Sequence, residues 1–212
     1  MSDPRMLLAV MVLAVGCFRS RTVPAIEMYR LLPPNVAPSL AADDLPDGSL
    51  AVSSFVTPGL YGQRGIVYRV GEAGYGAYPS REWAIPLGEM LGRRTADLVQ
   101  EQPLMRGGAL FDPPTRRAFT HVWRGTVREF EEIDRGNLVF VAVNLEASLV
   151  RVEDDSIVWS GGGRVERPVA DGTMEGIIAG LSAATDEVLL ALLDSARVSI
   201  RQKSANGSPP DR

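Results

Sequence analysis

The chain of 212 residues contains one cysteine (Cys17), one histidine (His121) and one lysine (Lys203). A lone thiol has no partner for an intrachain disulfide, so the fold must hold without one. A domain of this size manages that even in an oxidising compartment. One histidine and one cysteine cannot build a zinc site, and no metal or cofactor is expected. The near absence of lysine beside abundant arginine reads as compositional bias. Twenty-two basic against 26 acidic residues leave a net charge of −4. With no basic stripe or Lys-rich tail, nucleic-acid binding has no electrostatic support. Long apolar runs are also missing. The first run, residues 6–15, is about half of the ~20 residues that a membrane-crossing helix needs.

That run, Met6 to Val15, has the length of the apolar part of a secretory signal, and small residues follow it. It ends in Ala14-Val15-Gly16-Cys17, which is similar to the box in which bacterial lipoproteins present the cysteine that receives lipid. Leucine is usual three places before that cysteine; here Ala14 holds the place, and Leu13 stands one step earlier. The reading is a signal peptide over 1–16, lipidation at Cys17 and a tether over 17–25. A plain secretory signal with an incidental cysteine, or an uncleaved anchor, are the other readings of the same residues.

Downstream, alternation predicts strands at 26–31, 50–56 and 65–70, bounded by Pro33-Pro34, Pro58-Gly59 and a turn-rich stretch from Gly71 to Gly76. Tyr75, Tyr78 and Trp83 then fall in a loop. A helix begins at Ile85 or Pro86, because proline is welcome where a helix has no use for its N–H, and it ends before Pro103. Met105 to Thr115 reads as a connection. Residues 117–131, 138–152 and 157–165 read as a three-strand meander. Met174 to Ala196 carries a helical stripe of Ile177, Leu181, Ala184, Val188 and Leu192. The expected body spans 26–200, followed by a polar, unstructured tail over 201–212. The fold class is α+β: one mostly antiparallel sheet with two main helices on one face.

Candidates for chemistry are few. His121 alternates with Trp123 on a strand and has no nucleophile elbow nearby, so a packed or rim position is expected. Glu129, Glu131, Glu132 and Asp134, like Asp154-Asp155, read as solvated charge at strand ends and turns. Gly161-Gly162-Gly163 falls inside a strand, where a bulge or close backbone approach is the ordinary reason for glycine. Tyr75, Tyr78 and Trp83 either anchor their loop on the sheet or form a rim for a partner or a lipid tail. No catalytic residue is assigned.

In order along the chain stand the box at Cys17, Tyr29-x-Leu31, Gly65-Ile66-Val67-Tyr68-Arg69, Tyr75-x-x-Tyr78, Trp83-Ala84-x-Pro86-Leu87, and Arg167-Pro168-Val169 before the last helix. In this order and spacing the chain resembles the ABC-type transport auxiliary lipoproteins, the family of paraquat-inducible protein C. The likeness extends over about residues 25 to 200. It implies a non-enzymatic subunit of the bacterial envelope, held by acyl chains such as palmitate. Its implied partners are mammalian-cell-entry family proteins and ABC transporter subunits that move lipids or other hydrophobic compounds, and homo-oligomers would suit a ring-shaped partner. Phe18, where an aspartate would retain an enteric lipoprotein at the inner membrane, favours the outer membrane, facing the periplasm. A periplasmic lipid-binding carrier is the alternative. A third reading, an envelope hydrolase, lacks the histidine chemistry it would need.

Overall fold

A computed structural model describes residues 25–36 and 45–206. Cys17, its signal and tether, and the last residues of the tail lie outside the described residues. Eight strands form one sheet: β1 (Glu27–Tyr29), β2 (Leu50–Val52), β3 (Gly65–Val70), β4 (Gly74–Trp83), β5 (Ala109–Phe111), β6 (His121–Asp134), β7 (Val139–Arg151) and β8 (Ile157–Pro168). Two helices, α1 (Leu87–Glu101) and α2 (Met174–Asn206), complete the α+β fold.

The long strand β6 organises the sheet. Along one side it pairs antiparallel with β7, and β7 with β8. Its other side is long enough for two short strands in succession. β2 pairs with its start, at His121–Trp123, and β3 with its end, at Glu132–Asp134. Val56 bridges to Thr126 between them. Both pairings are parallel, as are β2 with β5 and β1 with β4; β3 with β4 is antiparallel. The sheet is therefore mixed, which corrects the expectation of a mostly antiparallel one. The meander is antiparallel because tight turns join its strands. β2 and β3 reach β6 through long connections, which allow the chain to re-enter in the same direction.

Two strands, one of ten residues and one of three, were not expected as such. The segment holding Tyr75, Tyr78 and Trp83 is not a loop but β4, and β5 lies inside the Gly/Pro-rich connection. The strand expected over 50–56 stops at Val52. Beyond it, Phe55 donates its N–H to the Gly88 carbonyl of α1 (3.0 Å), and Val56 returns to β6. The last helix continues ten residues past Ala196, into the segment expected to be unstructured.

Both helices pack on one sheet face. Val141, Val143, Leu145, Ala147 and Leu149, every second residue of β7, enter a common core with Ile177, Leu181, Val188 and Leu192 of α2 and Leu91 and Leu98 of α1. α2 is long and apolar enough to cross a membrane. Its apolar stripe is instead buried against the sheet, as expected for the principal core helix. Thr173 caps it, its hydroxyl accepting the Gly176 N–H at 3.1 Å.

Candidate partner-contact site

Successive residues of a strand point to opposite faces, so Glu131 and Glu132 near the end of β6 project to the two sides of the sheet. Both are buried. The Glu131 carboxylate accepts from Arg69 Nε on β3 (2.8 Å) and from the Tyr61 hydroxyl in the preceding 3-10 turn (2.5 Å). Glu132 accepts from the Tyr78 hydroxyl on β4 (2.8 Å). Adjacent carboxylates therefore clamp the β3–β4 hairpin from both faces. The expectation of a solvated charge run fails for these two residues. Glu129 does lie on the outer face, paired with Arg164 at 2.6 Å, and Asp134 closes a turn by accepting the Gly136 N–H. A run of acids flanked by Phe130 and Ile133 within a strand was the available signal. Their tyrosine and arginine partners, 54 to 70 residues distant, were not readable from it.

Burial raises the Glu132 carboxyl above the ordinary range; Tyr78 opposes this through its hydrogen bond, and Asp134 adds to it. Burial, followed by the bond to Glu132, pushes Tyr78 up to about 12. Burial and the bond to Glu131 raise Tyr61 well above the usual phenol range. Both phenols remain protonated donors at neutral pH, as their carboxylate partners require.

The three aromatic residues chosen from sequence separate into different environments. Trp83 is only 2% exposed, and its ring meets Phe130 edge-on at 5.8 Å. Tyr78 is half-buried between Tyr68 (4.9 Å between ring centroids) and the Arg81 guanidinium (4.9 Å). Tyr75 is 54% exposed near the hairpin tip, opposite Arg69 in the strand register, with the Arg69 guanidinium 5.8 Å from its ring centroid. Arg69 thus links the buried Glu131 to the one aromatic of the three that faces solvent.

The sheet face opposite the helices is laced with ion pairs: Arg128–Glu146 (2.6 Å), Arg164–Glu166 (2.9 Å) and Arg135–Glu166 (2.8 Å). A trough of about 600 Å³ opens on this face, lined by Thr126, Glu146, Ser148, Ser160 and Gly162. His121 sits half-buried at the start of β6, 2.9 Å from the Thr120 hydroxyl, and burial and then Arg151 lower its pKa. Of the three glycines in β8, two serve close approach: a Cβ on Gly161 would lie 2.6 Å from the Trp159 ring, and one on Gly163 3.3 Å from Val188 of α2. Among the described residues, no group of His, Cys, Asp and Glu could hold a metal ion.

The α+β body thus has one face covered by helices, an ion-paired opposite face and an exposed tyrosine near the tip of the β3–β4 hairpin. The chain belongs to the ABC-type transport auxiliary lipoprotein component family, whose sequence pattern matches residues 29–192. It is a transport-associated lipoprotein of the cell envelope. Its fold is similar to that of protein XCC0632 from Xanthomonas campestris, at 19% identity and a TM-score of 0.71, covering 84% of this chain and 99% of that one. A second crystal structure, of an uncharacterized protein, is similar at 16% identity and a TM-score of 0.64, covering 81% and 99%. No curated protein sequence matches.

Proposed function

We propose that this lipoprotein is a non-catalytic adaptor: lipidated at Cys17 after removal of residues 1–16, tethered through 17–25, and docked by its folded body onto a mammalian-cell-entry type lipid transport system, at the outer membrane. The observation that carries this reading is the family match across the folded body, residues 29–192, directly downstream of the box at Ala14–Cys17. Two features of the body favour an adaptor over a lipid carrier. The trough on the outer sheet face is open and carries Arg124, Thr126, Glu146, Ser148 and Ser160 in its lining, whereas lipid pockets are concave and enclose most of their ligand. Tyr75 and Val70 are both exposed near the tip of a braced hairpin, and tyrosine is among the residue types enriched at the centre of protein contacts.

The test is affinity capture of the tagged chain from detergent-solubilised envelopes. The expected co-purifying species are a mammalian-cell-entry family protein or ABC transporter subunits, with recovery reduced by Tyr75→Ala combined with Val70→Ala. Cys17→Ala should move the protein to the soluble fraction without lowering its melting temperature. Membrane retention of Cys17→Ala would remove the lipid anchor from the reading, and capture without any transport protein would remove the adaptor role.

A further inference from the structure

Three of the large exposed hydrophobic side chains, Ile26 (55% exposed), Met28 (62%) and Leu32 (48%), fall within one stretch of seven residues. These three and Arg30 are exposed while Tyr29 and Leu31 pack inward, and Arg30 also borders a depression against α1 with Arg93 and Asp97. Arg30 has no ion-pair partner among the described residues. The backbone prevents this stripe from rolling inward. Leu32 donates its N–H to Ser182 Oγ (2.9 Å) and accepts from Arg94 Nη1 through its carbonyl; Tyr29 accepts the Ala84 N–H (2.8 Å). β1 is an edge strand, paired only with β4.

We infer that Ile26, Met28, Arg30 and Leu32 form a membrane-contact stripe that seats the body against a bilayer containing anionic headgroups. The inference rests on the lipid anchor proposed above. Ile26 lies nine residues after Cys17, and nine residues span at most about 30 Å. The bilayer is thus the one large surface that an anchor at Cys17 necessarily brings within reach. Apolar side chains flanking an arginine with no ion pair among the described residues match the boundary between acyl chains and negatively charged headgroups. The tether supplies affinity, and the stripe fixes which side of the body faces the membrane.

The test uses the mature, acylated chain reconstituted into phosphatidylcholine vesicles with and without phosphatidylglycerol. A polarity-sensitive thiol label is placed by Met28→Cys, with Leu110→Cys on β5, also exposed, as the reference position. The expected result is a blue shift at position 28, absent at 110, larger with phosphatidylglycerol and reduced at least several-fold by Arg30→Glu. Flotation of the same vesicles reads the anchor separately. Flotation with equal emission at both positions overturns the stripe and leaves the anchor standing. A shift at position 28 that appears only after detergent-extracted envelope proteins are added overturns it in favour of a protein contact. Loss of flotation overturns the anchor and the stripe together.

Discussion

Glu132 lies inside the protein with one neutral donor, Tyr78, and no cation bonded to it. A carboxyl whose pKa is raised on folding binds its proton more tightly in the native state. Stability therefore falls as pH rises from the ordinary carboxylate range through the raised value, and the full penalty is present above it. Glu132→Gln keeps an acceptor for the tyrosine and removes the ionisation. The melting temperature of the variant, relative to the parent, is expected to increase from acid to neutral pH. A difference that is constant across the titration would show that Glu132 has no raised pKa. Glu131, by contrast, has a salt bridge to Arg69, whose side chain is itself largely buried. The two neighbours have one residue type and opposite electrostatic circumstances, because strand geometry sends them to opposite faces.

At the scale of the element, α1 contains Gly88 and Gly92, four residues apart and thus on one side of the helix. Helix propensity alone would favour alanine at each by about 1 kcal/mol. Packing decides otherwise: a Cβ on Gly88 would lie 2.1 Å from the Phe55 carbonyl oxygen, and one on Gly92 would lie 2.9 Å from that of Ser53. These are backbone atoms and cannot rotate away. Gly88→Ala should therefore destabilise by about 3 kcal/mol net, since forced overpacking outweighs the gain in propensity. Denaturant unfolding measures it, and a stability equal to or above the parent's would show that α1 does not approach residues 53–55 this closely. The same contact explains why the apolar pattern over 50–56 does not form one strand. The chain leaves the sheet after Ser53, whose N–H still bonds the Trp123 carbonyl of β6, and Phe55 then bonds α1.

For the whole molecule, Arg94 joins three separate parts of the chain. From α1 it forms two hydrogen bonds with Asp186 of α2 (2.6 and 2.7 Å) and also bonds the Leu32 carbonyl of the N-terminal segment. Its side chain is 5% exposed, and that of Asp186 is 15% exposed. Removing one partner of such a pair leaves a buried charge uncompensated, at a cost of about 3–5 kcal/mol. Asp186→Ala is accordingly expected to lower stability by that amount and to speed amide exchange at Leu32. Arg94→Met with Asp186→Leu should cost less than Asp186→Ala alone, because no charge remains stranded. Equal losses in the single and double variants would remove the electrostatic explanation.

Local pattern was enough to mark α1, α2, β3, the meander and the α+β class. Helical and strand periodicities are written in consecutive residues, and prolines and glycines mark their ends. The same local reading supplied the family motifs and left His121 a packed or rim position. Tertiary structure decided what depends on contacts between distant residues. β4 alternates poorly because its side chains are half-buried on both faces, so its aromatics read as a loop. The parallel placement of β2 and β3 on β6 follows from how their long connections cross the fold. The buried state of Glu131 and Glu132 required Tyr61, Arg69 and Tyr78 to arrive from other strands and turns. Which of Tyr75, Tyr78 and Trp83 faces solvent was likewise settled by the register of β4 against β3, since exposure is a property of the assembled sheet and not of the residue.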